Sequence, residues 1–446
     1  MDHWKLITVM VTVFTFTVEI RPMDSFLTAY LTGPSVNVSL NEVSNVFTPI
    51  RIYFGVIGSF LVFLLSDYLR YKPVMIFNGV LGMVAYINLI DSPTAFQIMV
   101  TEVCFSLFAC IEMAYYGYLY SKIEDKEHYQ IATGFAKSGM LSGTCVAGLL
   151  GQLAVYFNDR NYSVLPYYSL AFVTFATVWA CFLPSVGNSK TSIQVDDVGE
   201  DDFSNTAIQD PSIPDYSSTR KSDTSNVVPS TVFVNRFCDF RHSYADRTVL
   251  MWSIWYVVAM AGFTQTNLYV NILYTYIVDV SDDKHALLNG LVDSLATMCA
   301  AISAYQIGKV NVNWSYHGFT FLTFSSLVLA LLLSLGYYST NIFVVYFMYI
   351  CFDTVVQSVF VIAMSQIAKQ LKHDFYTSVL GFNAFLGIVL STCLSSLLVR
   401  IETSLPFRFL VYSSTFIILG VVYGCAAVIL TAKDKASARR YYSRLP

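Results

Sequence analysis

Charge is scarce in this chain. Only 13% of its 446 residues are Asp, Glu, Lys or Arg, while 55% are hydrophobic. A soluble globular protein carries about 25% charged residues. The shortfall excludes an ordinary water-facing surface. The net charge of −4 gives no reason to expect a nucleic acid as partner. Reactive constellations are lacking too. The nine Cys and six His show no CxxC or Cys/His metal spacing, so neither a metal nor a cofactor is expected. The cysteines read as small core hydrophobes, with Cys238 alone in a polar stretch. No Walker loop is present, which argues against ATP-driven transport by this chain alone. No nucleophile stands beside a base, so an enzyme is not expected.

Long apolar runs are present instead. They lie at 5–32, 44–66, 74–91, 96–121, 130–157 and 165–184, and again at 248–276, 287–307, 317–338, 342–370, 376–400 and 407–431. About 20 apolar residues cross a hydrocarbon core as a helix, and only helices or closed barrels satisfy the backbone in lipid. The expectation is an all-α membrane protein of twelve transmembrane helices. Residues 1–184 and 248–431 form two six-helix halves around a linker at 185–247, and 432–446 is a basic tail. Lys5 to Val18 resembles a signal peptide, but no small-residue cleavage site follows, so a retained first helix is expected. The linker opens acidic (Asp196, Asp197, Glu200, Asp201, Asp202) and continues rich in Ser, Thr, Pro and Asp. It reads as a largely disordered tether, with a regulatory segment as the alternative.

Lys and Arg concentrate in the linker, the tail and one set of loops, among them Arg70, Lys72, Lys122, Lys126, Lys309, Lys369 and Lys372. That bias places both termini and the linker in the cytoplasm. The sequons at Asn37 and Asn161 then face outside as glycosylation sites. A 6+6 chain with a long internal loop suggests the major-facilitator architecture, whose halves rock about a midplane site. The segment Ser66-Asp67-Tyr-Leu-Arg70-Tyr-Lys72-Pro73 fits a gate built on Asp67 and Arg70, or a snorkelling anchor.

Ionisable groups inside spanning segments are costly, and so are functional candidates. Glu19, Arg21, Asp24, Arg51, Glu102, Glu112, Asp293 and Asp353 are of this kind. The acidic groups outnumber the two Arg, which favours a cation or a proton over an anion. Glu112 lies mid-span, with Tyr115 and Tyr116 on neighbouring faces. Carboxylate and phenol rings together suit a flat organic cation; a Glu bonded to a neighbouring helix is the alternative. Asp24 follows Arg21-Pro22, where proline breaks a helix, or Arg21 and Asp24 simply pair at i,i+3. Arg51 and Asp353 are candidates for a pair between helices, and Asp353 and Asp293 for coupling. Trp252, Trp255, Tyr256, Gln265, Tyr269, Asn271 and Tyr274 stud the seventh stretch, as a substrate wall or as packing.

At these residues the chain resembles the reduced folate carrier and thiamine transporter family. The matching blocks run from Arg21-Pro-Met-Asp24 through Gly33-Pro34, Asp67 to Pro73, Glu112 to Tyr120, Trp252 to Tyr269, Asn289-Gly-Leu-Val and Ser365-Gln-Ile-Ala368 to Leu380-Gly-Phe-Asn383. The resemblance implies a major-facilitator fold and uptake of a vitamin, thiamine or folate, across the plasma membrane. It implies that Glu112 stands where thiamine members have Glu and the mammalian folate carrier has Arg. Asp353 and Ser391 stand where that carrier has Arg and Lys. Asp24 replaces a Glu of both branches, and Tyr115 matches a substrate-facing Tyr. Arg51 replaces a substrate-stacking Trp of thiamine members, and Leu268 an Asn, with Asn267 beside it. Thiamine is the first expectation and folate the second. A non-transporting substrate sensor is the reading from another class.

Overall fold

The computed structural model describes residues 3–39, 42–65, 71–158, 161–185, 243–281, 289–371, 376–401 and 403–442. The linker expected at 185–247 falls mostly outside them, as do Asp67 and Arg70. Every regular element among the described residues is helical. In chain order the α-helices are α1 (His3–Val18), α2 (Leu27–Thr32), α3 (Thr48–Leu65), α4 (Lys72–Asn88), α5 (Ala95–Cys110), α6 (Glu112–Lys122), α7 (Tyr129–Phe157) and α8 (Leu165–Phe182). There follow α9 (Arg247–Ser281), α10 (Asn289–Gly308), α11 (Trp314–Tyr338), α12 (Ile342–Gln370), α13 (Tyr376–Arg400) and α14 (Leu405–Tyr442).

Local sequence sets several of these ends. Thr94 and Gln97 form a capping box before α5, with Thr94 N–H donating to Gln97 Oε1 at 2.8 Å. Asn341 accepts from Phe343 N–H at 2.9 Å and starts α12. Pro22 has no N–H and cannot continue a helix. The first expected span is accordingly interrupted: α1 stops at Val18, a short 3-10 turn covers Asp24–Phe26, and α2 begins at Leu27. The fourth expected span is also broken. Ile111, at φ −80° and ψ −7°, separates α5 from α6.

Eight helical spans among the described residues are long and apolar enough to cross a membrane. The other four expected stretches fall on helices that are shorter or more polar. α1 is 16 residues long and α4 is 17, α3 meets the residues left undescribed after Leu65, and α10 carries Asp293, Ser294 and Gln306.

Large apolar side chains lie on the outside, as a lipid solvent allows. Phe96, Phe157 and Tyr338 are 73%, 76% and 73% exposed. The cysteines follow the same logic and partly depart from the core reading: all eight described are free, but Cys181, Cys393 and Cys425 are exposed. In a bilayer an outward face needs no polarity.

Met1–Val186 and Phe240–Pro446 make one compact unit. α1 packs on α7 and α8, α3 on α5, and α4 on α5 and α8. In the second half α9 packs on α12, α13 and α14, α10 on α12, and α11 on α14. α7 also lies against α10 and α12, and α13 against α3 and α6.

Candidate functional site

The broken helices put charge at their breaks. Arg21, just past α1, donates to Glu19 at 2.6 Å and meets Asp24 at 3.3 Å. Its guanidinium also lies 4.7 Å from the Phe108 ring centre. Asp24 accepts a second bond, from the Tyr86 hydroxyl at 2.6 Å. The i,i+3 pairing foreseen for Arg21 and Asp24 is therefore present, extended to Glu19. Asp24 stays 37% exposed.

Arg51 pairs with Glu102 at 2.5 Å, with the carboxylate buried and the guanidinium half-exposed. The sequence suggested Asp353 as its partner. The structure gives Glu102 instead, because α3 packs on α5 and Arg51 rests over the Phe105 ring there, at 5.3 Å.

Glu112 opens α6 directly after the break at Ile111. Lys137 of α7 donates to it at 3.0 Å. Glu112 is therefore not a bare carboxylate. Lys137 is the candidate absent from the sequence reading, although it lies within the stretch 130–157. The cost of a charge in lipid marks it as it marks Glu112.

The tyrosines after Glu112 are buried. Tyr115 accepts from the Asn78 amide and sets its ring edge-on to Phe14 at 5.1 Å. The Tyr116 hydroxyl has no hydrogen-bond partner among the described residues. It lies near Glu112 and Tyr256, and Tyr256 of α9 reaches Met113 Sδ at 3.8 Å across the halves.

On α9 the aromatic stripe mostly packs. Trp255 donates to Ser326 of α11 at 2.9 Å. Trp252 sits edge-on to Trp314 at 6.4 Å, its indole N–H without a partner among the described residues. Gln265 donates to Ser391 Oγ and O, both at 2.7 Å, and accepts from Tyr412 at 3.1 Å. Tyr269 bonds Ser395 at 2.9 Å beneath Arg408. The Asn271 side chain lies outside the described ones. Asn267, noted beside Leu268 in the sequence, faces Tyr349, which donates 3.3 Å bonds to Asn267 Oδ1 and Asp293 Oδ1.

Asp353, one turn along α12 from Tyr349, is buried and accepts from Gln357 at 3.2 Å. The single oxygen of the Gln357 amide has no hydrogen-bond partner among the described residues. Asp293 and Asp353 thus have neutral donors only, and neither forms an ion pair among the described residues.

One end of the interface is sealed by polar bonds. Lys126 donates to the Lys369 and Leu371 carbonyls at the end of α12, both at 2.8 Å. Gln130 donates to the Ile307 and Val310 carbonyls at the end of α10, at 2.9 and 2.8 Å, and accepts from Trp314 at 2.7 Å. Tyr129 and Tyr376 hydroxyls meet at 2.7 Å. Two helix C-termini of the second half, with their orphan carbonyls, are capped from the first. A groove of about 500 Å³ elsewhere, lined by Thr323, Leu327, Gly420 and Val428, is apolar and holds none of these charges.

This all-helical fold, with charges set at broken helices, matches that of a major-facilitator transporter. The human organic anion transporter MFSD10 superposes with a TM-score of 0.69 at 11% identity, over 95% of this chain and all of that one. The sequence profile of the reduced folate carrier matches residues 2–410. Human thiamine transporter 2 is 31% identical over 98% of this chain and 92% of its own length. Human thiamine transporter 1 is 28% identical over 97% and 91%, and the human reduced folate transporter 27% identical over 96% and 72%. The chain belongs to the reduced folate carrier family. It is a multi-pass membrane protein of a family of transporters, not of enzymes.

Proposed function

We propose that the chain is a plasma-membrane vitamin transporter that takes up thiamine by alternating access. The observation that carries the choice is charge. Six carboxylates (Glu19, Asp24, Glu102, Glu112, Asp293 and Asp353) stand against three cations, Arg21, Arg51 and Lys137. Each cation is bonded to a carboxylate, so the surplus is negative and favours a cationic ligand. Three of the four individual proteins compared above are vitamin transporters, two of them for thiamine.

In this reading Glu112 and Asp24 receive the substrate's positive charge. Tyr115 and Tyr116 wall it, with Trp252, Trp255, Gln265 and Tyr269 supporting the wall from α9. Arg51 holds Glu102, and Asp293 or Asp353 couples a proton. Twelve crossings in two halves of six, 1–184 and 248–431, rock about this level, joined by the linker and closed by the 432–446 tail. Both termini are cytoplasmic, Asp67 and Arg70 gate the inner side, and Asn37 and Asn161 carry glycans. Both asparagines are exposed. The sealed end is then the cytoplasmic one, and the protein faces outward.

The test is competitive uptake of labelled thiamine and labelled folate by cells expressing the chain. Thiamine uptake that Glu112→Gln removes and Glu112→Arg abolishes is expected. Retained uptake in Glu112→Arg at normal surface level, or folate uptake by the unaltered chain, would sink the assignment. Counterflow of labelled thiamine separates transport from a sensor, which binds without moving solute.

A further inference from the structure

Lys137 poses a question that the transport reading leaves open. Its side chain is 9% exposed, and its ammonium is held at 3.0 Å by Glu112, whose side chain is 24% exposed. A second, weak contact runs to Met140 Sδ at 3.8 Å. Across the interface stands Asp353, 3% exposed, on α12, which packs against α7. Asp353 has a neutral amide as partner, and the charge of Lys137 acts on it. One ammonium, carried by α7, is thus bonded to Glu112, and α7 packs against α12, where Asp353 is buried with a neutral partner. A lysine is a compact charge on a flexible four-carbon stem and is suited to changing partners. Any cation that pairs with Glu112 competes with it. A released, buried ammonium is strongly destabilising without a new partner.

We propose that Lys137 is a displaceable internal cation: it neutralises Glu112 in the empty protein, gives way to the substrate's cation, and then pairs with Asp353, drawing the two halves together around the substrate. The inference rests on the cation-uptake reading above. It makes Lys137 a positioning residue that links occupancy of the first half to closure on the second. Differential contacts of this kind are what a ligand needs in order to move a two-state equilibrium. The exchange also sets a selection rule. An anionic ligand cannot replace Lys137 at Glu112, so it does not release the ammonium and does not drive closure.

The test uses the full chain, purified for binding of labelled thiamine and reconstituted for counterflow. Lys137→Met is expected to bind thiamine severalfold more tightly, because the internal competitor is gone, while counterflow falls by about tenfold or more. Asp353→Asn is expected to keep binding and lose counterflow, and the double variant to be no worse than either single one. Weaker binding by a folded Lys137→Met, or full counterflow by Asp353→Asn, would overturn the proposal. A second measurement needs no ligand. Spin labels at the exposed positions Phe96 and Tyr338, which lie at the outer end, report closure. In empty Glu112→Gln, where Lys137 is free to turn, their distance is expected to shorten, and Glu112→Gln/Asp353→Asn to restore it. An unchanged distance in Glu112→Gln overturns the switch. Failure of the unaltered protein to bind thiamine removes the substrate reading alone, and the distance measurement still decides on Lys137.

Discussion

Gln130 offers the sharpest handle on the sealed end. Its amide makes three bonds to the opposite half: to the carbonyls of Ile307 and Val310, and from the Trp314 indole. Bonds between helices in membranes average about 0.6 kcal/mol, so the three together are worth about 2 kcal/mol. They exist only while this end is closed. Gln130→Ala therefore shifts the opening equilibrium by roughly twenty- to thirtyfold, since 1.4 kcal/mol is tenfold. When the end opens, water reaches the freed carbonyls, so the loss falls on the closed state and not on the fold. Ala304, fully buried beside this seam, is a place for a reporter cysteine. In Ala304→Cys the thiol should react slowly with a cytoplasmic maleimide, and in Ala304→Cys/Gln130→Ala about twenty to thirty times faster. The variant without Ala304→Cys gives the background from the native cysteines. An unchanged rate in a folded protein would refute the reasoning and make Gln130 a packing residue.

Other perturbations follow from the same contacts. Lys126→Gln removes a cation from the carbonyl end of α12 and should open the seam further, by about 1 kcal/mol or less, in the same thiol assay. Gly143→Ala sets a Cβ 2.2 Å from the Phe16 carbonyl, whereas at Gly290 nothing lies within 4 Å. The first should cost about 1–3 kcal/mol in thermal unfolding of the detergent-purified protein, and Gly290→Ala much less. Asn37→Gln and Asn161→Gln should each remove one glycan from the cell-expressed protein on gel mobility; no shift in either would reverse the topology.

The parts that local chemistry decides were legible in the sequence. Pro22 forecasts the interrupted first helix, and the gap in α1–α2 falls around it. The cost of charge in lipid singles out Glu112, Asp24, Arg51, Asp293 and Asp353, and the structure finds each of them hydrogen-bonded. Partners were not legible, because they depend on which helices pack. Arg51 meets Glu102 and not Asp353 since α3 lies on α5. Gln265 is saturated by Ser391 and Tyr412, so a polar residue on a promising stripe turns out to tie helices together. The caps on α10 and α12 are less visible still. Their acceptors are backbone carbonyls, which carry no residue signature, and their donors, Gln130 and Lys126, look like ordinary loop-edge residues until the helix ends are placed opposite them.

The pairing pattern bears on substrate charge more than the count of charges does. A dianion needs cations free to turn to it. Arg51, 44% exposed, is the most accessible of the three, but Glu102 beneath it is 6% exposed. Turning Arg51 to a ligand leaves that carboxylate buried and alone, which costs on the order of 3–5 kcal/mol for a fully buried pair and less at this half-exposed one. A cation asks for no such break at Asp353 or Asp293, which hold neutral donors. Two variants set these accounts against each other. Arg51→Gln/Glu102→Gln removes the pair without stranding either charge and should keep thiamine uptake at normal surface level. Arg51→Gln alone strands Glu102 and should lower the unfolding temperature. Asp353→Asn keeps the shape of the side chain and should lose uptake. If the paired substitution abolishes uptake while Asp353→Asn leaves it intact, Arg51 is the ligand contact and the transported group is an anion.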